Sequence, residues 1–133
     1  ASRVEADNRR HVEDVIDFME LEPYRKLTVG SLAYGVQKRV EVARALTLAP
    51  DILLLDEPMA GMNIEEKEDM VRFIMDILKE RHITVILVEH DLGVVMDISN
   101  QVFVFDFGEL IGSGTPEEVA KNPKVVEAYI GEE

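Results

Sequence analysis

Residues 51–58 read D-I-L-L-L-D-E-P. Four apolar residues, Ile52 to Leu55, end abruptly in two adjacent carboxylates, Asp56 and Glu57. A short apolar run of this kind predicts a strand buried on both faces within a parallel sheet. Pro58 has no N–H for a sheet ladder, so the strand should stop there with the acids at its tip. Ligands of open α/β sheets bind at that end of the strands. One carboxylate can hold Mg²⁺ through water, and its neighbour can orient or deprotonate an attacking water. The pattern is that of a Walker-B strand. An ordinary strand running into an acidic turn has the same eight letters, so the flanking residues must decide.

The 133 residues are one domain's worth of chain, and 47 % apolar with 31 % charged residues is a globular composition. Fourteen basic against 27 acidic side chains give a formal charge of −13, a field that repels nucleic acid and anionic lipid. Nucleotides are not excluded, because backbone groups and a metal bind them locally. With no cysteine there are no disulfides and no thiolate metal sites. No apolar run approaches the roughly 18 residues of a membrane span. The first ten residues, A-S-R-V-E-A-D-N-R-R, are too polar for a signal peptide and lack an initiator Met. A processed chain, or a piece of a longer one, is therefore expected.

Outward from the central stretch, helices and strands alternate, which predicts an α/β unit with a mainly parallel core. Val4, Val12, Val15, Ile16 and Met19 recur at mostly helical spacing over 4–20, and Glu22-Pro23 should end that helix. Lone His11 reads as surface decoration. After a loop over 24–33, a helix is expected from Tyr34 to Leu48, with Val36, Val40, Ala43 and Leu46 on one face. Asn63 should cap a helix over 65–80, with Glu65, Glu66 and Glu68 favourable in its first turns. Residues 83–88, I-T-V-I-L-V, read as a second buried strand running into Glu89-His90-Asp91, and His82 before it reads as a loop residue. A short helix over 92–98 leads to a strand over 101–105. A turn at Phe107-Gly108-Glu109 follows, giving an antiparallel pair. Gly112 and Gly114 should break the chain. Thr115-Pro116 should start a helix, and Pro123 should separate two short ones.

Three stations then line up. Leu32-Ala33-Tyr34-Gly35-Val36-Gln37 precedes a helix ending A-R-A-L; the strand with Asp56-Glu57 follows, then the strand ending in Glu89-His90-Asp91. In order and spacing this resembles the C-terminal half of an ABC transporter ATP-binding subunit. The resemblance implies a P-loop NTPase-like α/β fold with a mainly parallel sheet flanked by helices. It implies a signature-bearing helical region over 1–50, a core over 51–114, and C-terminal helices over 115–133.

The same resemblance assigns roles. Leu32, Ala33, Tyr34, Gly35 and Val36 match the signature loop, which offers backbone N–H groups to the γ-phosphate of ATP on the partner subunit. Glu57 matches the catalytic glutamate, Asp56 the Mg²⁺-associated aspartate, and His90 the switch histidine at the γ-phosphate. Residues 59–63, with Asn63, match the D-loop at the dimer interface. ATP and Mg²⁺ are the implied ligands. The implied partners are a second ATP-binding subunit and transmembrane permease subunits, with no nucleic acid and no direct membrane insertion. The implied place is the cytoplasmic face of the cell membrane. D-E-P-M-A-G-M-N, I-L-V-E-H-D and the ending after G-T-P-E-E-V are most similar to subunits importing branched-chain amino acids.

The chain also departs from that pattern. No G-x-x-x-x-G-K-[ST] precedes the signature and no Q-loop glutamine can be placed, so the main phosphate cradle is missing. In the family the P-loop strand lies between the strands read at 83–88 and 101–105. The chain should therefore lack a central strand and expose apolar sheet edge, as part of a subunit about twice as long. Ala33 replaces the usual serine, Val36 the usual glutamine, and Asn63 the usual aspartate. Arg39 and Arg44 read better as solvated or structural charges than as phosphate ligands. Two other readings compete: a non-catalytic dimerisation or partner-binding module, and a DNA-associated ABC ATPase. The short first helix and the acidic charge speak against the latter.

Overall fold

The computed structural model describes residues 2–130, and within them the chain forms two compact units that meet in sequence at Val88 and Glu89. The first unit holds α1 (Arg3–Phe18), α2 (Tyr34–Leu46), β1 (Ile52–Asp56), α3 (Ile64–Glu80) and β2 (Thr84–Val88). The second holds α4 (Leu92–Ile98), β3 (Val102–Asp106), β4 (Glu109–Gly114), α5 (Pro116–Ala120) and α6 (Pro123–Val125).

Helix α1 starts at a capping box. Ser2 Oγ accepts from Glu5 N–H at 3.2 Å, and Glu5 Oε2 accepts from Ser2 N–H at 3.3 Å. It ends earlier than Pro23 alone would require. Glu20 takes a left-handed backbone (φ +55°), and the N–H of Leu21 reaches back to the carbonyl of Ile16, closing the last turn. Of the five apolar residues in its pattern only Val15 and Met19 are buried; Val4 and Val12 face solvent. His11 is half-buried rather than surface decoration, and its Nε2 has neither solvent access nor a hydrogen-bond partner among the described residues. Ion pairs Arg81–Asp14 (2.7 Å) and Arg72–Glu20 (2.9 Å) tie α1 to α3.

Helix α2 buries Val42, Ala43 and Leu46, so its inner face is rotated from the one predicted through Val36 and Val40. It ends two residues before Leu48, where Ala49 turns left-handed (φ +49°). Helix α3 buries Met70, Phe73, Ile74 and Ile77.

Strands β1 and β2 pair in parallel, with Leu54 opposite Ile86 and Asp56 opposite Val88. β1 is not buried on both faces, as its unbroken apolar run predicted. Leu53 and Leu55 point inward, while Ile52 and Leu54 are 57 % and 70 % exposed. The physical reason lies in the covering layer. One side of the pair carries Leu53 and Leu55 buried with Val85 and Leu87 half-buried, so β2 too falls short of the buried strand expected, and the other side carries Ile52, Leu54, Ile86 and Val88 exposed. Among the described residues β2 pairs with β1 alone and β3 with β4 alone.

In the second unit β3 and β4 form the expected antiparallel pair around the turn at Phe107-Gly108. Val102, Val104, Val119 and Val125 make its core. Gly112 and Gly114 do not break the chain. They sit within β4, opposite Val104 and Val102. At Gly112 the absent side chain leaves room for α6: a Cβ would meet Asn122 Nδ2 at 2.7 Å and Val125 Cγ2 at 3.1 Å. Thr115 caps α5 by accepting from Glu118 N–H at 3.3 Å.

Candidate nucleotide site

β1 delivers Asp56 and Glu57 to its carboxyl end, both side chains exposed. Asp56 is the last residue of the strand and shares its face with Ile52 and Leu54. Glu57 follows with φ +45°, a left-handed conformation that a non-glycine residue adopts at a cost of about 1–2 kcal/mol. Its N–H donates to the carbonyl of Val88 at 2.8 Å, which holds this conformation against the tip of β2. The chain then turns through buried Pro58 and Met59 to Gly61 (φ +77°).

The predicted signature residues sit at the start of α2. Ala33 is the N-cap residue and has no side-chain oxygen to cap with. Tyr34 Oη donates to the carbonyl of Ala60 at 3.0 Å, and the Tyr34 ring lies against Gly61. Gln37 Nε2 donates to the carbonyl of Leu32 at 2.9 Å and closes the turn before the helix. Residues 32–36 and the turn at 59–63 are thus joined within one unit. Ala33, Tyr34, Gly35, Val36, Asn63 and Glu66 line a pocket of about 320 Å³ there.

Asn63 caps α3 as predicted, accepting from Glu66 N–H at 2.8 Å. Glu66 returns the bond, Oε1 accepting from Asn63 N–H at 3.2 Å. Its second oxygen, Oε2, accepts from the N–H of Gly35 at 2.5 Å. Sequence reasoning saw Glu66 only as a favourable charge in the first turn of α3. The N-x-x-E spacing signals the box, but nothing local signals a reach to a residue 31 positions earlier.

Arg39 has a structural place. Its guanidinium donates to the carbonyls of Met19 and Glu20 (3.3 and 3.4 Å) and lies 4.8 Å from the centre of the Phe73 ring. Arg44 is exposed near the end of α2.

His90 belongs to the second unit. Its side chain is 73 % exposed, its N–H donates to Glu89 Oε1 at 3.2 Å, and Nδ1 stands 3.6 Å from the same oxygen. Next to it Asp91 caps α4, accepting from Val94 N–H at 3.4 Å.

Among the described residues no three His, Asp or Glu side chains gather in a cluster that could hold a metal ion by themselves. A cation at Asp56 would need its other oxygens from water and phosphate, which is how Mg²⁺ is commonly held. No helix among the described residues is long and apolar enough to cross a membrane.

Comparison with known proteins fits this geometry. The ABC transporter family profile matches residues 2–60, and that of the branched-chain amino acid ATP-binding cassette transporter matches residues 109–133. The high-affinity branched-chain amino acid transport ATP-binding protein BraF of Pseudomonas aeruginosa is 38 % identical over 130 residues, 98 % of this chain and 51 % of BraF. The chain belongs to the ABC transporter ATP-binding family. LivG of Escherichia coli, of the same description, is 42 % identical over 103 residues, 77 % of this chain and 40 % of LivG. The ABC chain thus spans about half the length, or less, of the curated relatives it matches. The ADP conformation of MJ1267, an ATP-binding cassette of an ABC transporter, superposes on 95 % of this chain and 51 % of its own. Its TM-score is 0.83 at 32 % identity.

Proposed function

We propose that this chain is the C-terminal part of an ATP-binding, ATP-hydrolysing subunit that powers transmembrane import of branched-chain amino acids. The observation that carries the reading is the end of β1, where Asp56 and Glu57 project from a parallel strand beside a signature-like helix start. Similarity to BraF and LivG supports the substrate class.

Glu57 orients the water that attacks the γ-phosphate and accepts its proton. The left-handed backbone, held by Val88, fixes where that carboxylate starts from. His90 meets the γ-phosphate, and Glu89 beside it restrains its backbone N–H. Asp56 would hold Mg²⁺, which would supply positive charge against the phosphates. Leu32 to Val36 offer backbone N–H groups at a helix N-terminus to ATP held by a partner subunit, and Asn63 lies in the turn that faces that partner. The subunit works as a head-to-tail homo- or heterodimer docked on permease subunits at the cytoplasmic face of the membrane.

The competing reading is a non-catalytic dimerisation or partner-binding module, favoured by Ala33 where the signature usually has serine. ATPase assays on the full-length subunit carrying this sequence decide between them. With Glu57→Gln, hydrolysis should fall by about 10²–10⁴-fold while ATP binding persists. A wild-type subunit that binds ATP and never hydrolyses it would make the non-catalytic reading the right one.

A further inference from the structure

Helix α2 starts without a cap of its own: Ala33 supplies no oxygen, and its first turn has no acidic side chain. The missing acceptor comes from another helix. Glu66, in the first turn of α3, divides its carboxylate between two helix starts, Oε1 on Asn63 N–H and Oε2 on Gly35 N–H. Both helices point their positive ends at this one charge. Gly35 permits the approach, since a Cβ there would overlap Glu66 Oε2 and lie 3.0 Å from its carboxyl carbon.

We propose that Glu66 is a positioning residue, an internal anion that holds the Gly35 N–H until a phosphate from the partner subunit displaces it. This rests on the reading of residues 32–36 as the signature loop. A phosphate oxygen and the Glu66 carboxylate compete for one donor, and like charges cannot share it. Arrival of the phosphate therefore frees Oε2, while Oε1 remains on the backbone of Asn63. The same side chain thus reports occupancy at α2 to the turn over 59–63, which Tyr34 also touches through Ala60.

Glu66→Gln separates this role from simple capping. Glutamine serves equally well at the third position of a capping box, so α3 keeps its start. Its amide has one acceptor oxygen for two donors, so Gly35 N–H is released. In the full-length subunit carrying this sequence, two quantities are measured: the Gly35 amide resonance after ¹⁵N-glycine labelling, and the ATP concentration for half-maximal hydrolysis. The expected result is a shifted Gly35 resonance, with the half-saturating ATP concentration lowered about fivefold, the size of one such contact. Thermal stability should stay near wild type, whereas Glu66→Ala should lower it.

An unmoved Gly35 resonance overturns the contact. A moved resonance with unchanged or raised half-saturation reduces Glu66 to a cap and overturns displacement, while hydrolysis itself keeps the transporter reading standing. A wild-type subunit without ATPase activity removes that reading, and displacement with it.

Discussion

The hydroxyl of Tyr34 donates to the carbonyl of Ala60 at 3.0 Å, across 26 residues of sequence. It joins the start of α2 to the turn after β1, and Lys38 Nζ stands 5.5 Å from the centre of the same ring. Tyr34→Phe keeps the ring and removes the bond. Stability should fall by about 0.5–1.5 kcal/mol in urea denaturation, and a larger loss would mean the ring itself had been displaced.

Phe73 is 1 % exposed in the middle of α3, with Arg39 and Arg72 over its ring at 4.8 and 4.4 Å. Phe73→Ala opens a cavity and takes the ring away from both guanidinium groups. We expect a loss of about 3–5 kcal/mol, read from the denaturation midpoint. A loss below about 1 kcal/mol would show that the neighbouring chain closes over the gap.

Gly112→Ala places a methyl group against Asn122 and Val125. Overpacking of this kind costs about 1–3 kcal/mol, and the Asn122 Nδ2 bond to the Ile111 carbonyl (3.4 Å) should be lost. Amide exchange should accelerate in β4 and leave α3 unchanged. Equal acceleration in both would contradict a local effect.

Arg25 donates to both carboxylate oxygens of Glu13, at 2.5 and 2.8 Å, and also meets Glu22. The Arg25 hydrogen bond holds the Glu13 carboxyl below the usual glutamate range, and the paired carboxylates push the Arg25 guanidinium up. A depressed folded value means the pair contributes above the unfolded pKa of about 4.3, and its contribution is lost as pH falls through the folded value. Carbon-13 titration of Glu13 should give a midpoint that rises in Arg25→Gln. Salt should narrow the difference, because both groups are exposed.

Leu54 and Ile86 face each other on the uncovered side of the β1–β2 pair. Exposed apolar patches drive association. Leu54→Lys with Ile86→Glu should raise the concentration at which light scattering detects aggregates, with stability changed by less than about 1 kcal/mol. Unchanged scattering would place the sticky surface elsewhere, for instance around Phe103 and Phe107.

Much of this was readable before any coordinates because it is local. The Asn63 cap, the proline-led start of α5 and the apolar stripe of α3 depend on residues three or four apart, and sequence displays them directly. The positions of Asp56 and Glu57 followed from an apolar run meeting a proline. What sequence did not display was non-local. The exposure of Leu54 depends on which layers cover the sheet, the role of Gly112 on where Asn122 packs, and the reach of Glu66 on a neighbour distant in sequence. The rotation of α2 toward Val42 is of the same kind, since Val36 and Val40 fit a helical period equally well.

The alternation of β1 places Asp56 on the same side as Ile52 and Leu54. That side is open to water, so the carboxylate sits in a medium with a dielectric constant near 80. Whatever covers those two residues also dries the surroundings of the acid. At an effective constant of about 20, the pull of Asp56 on a cation is roughly four times stronger at the same separation. The packing of a greasy strip is therefore also an adjustment of field strength, and a layer that never touches the carboxylate would set how firmly it could hold a cation.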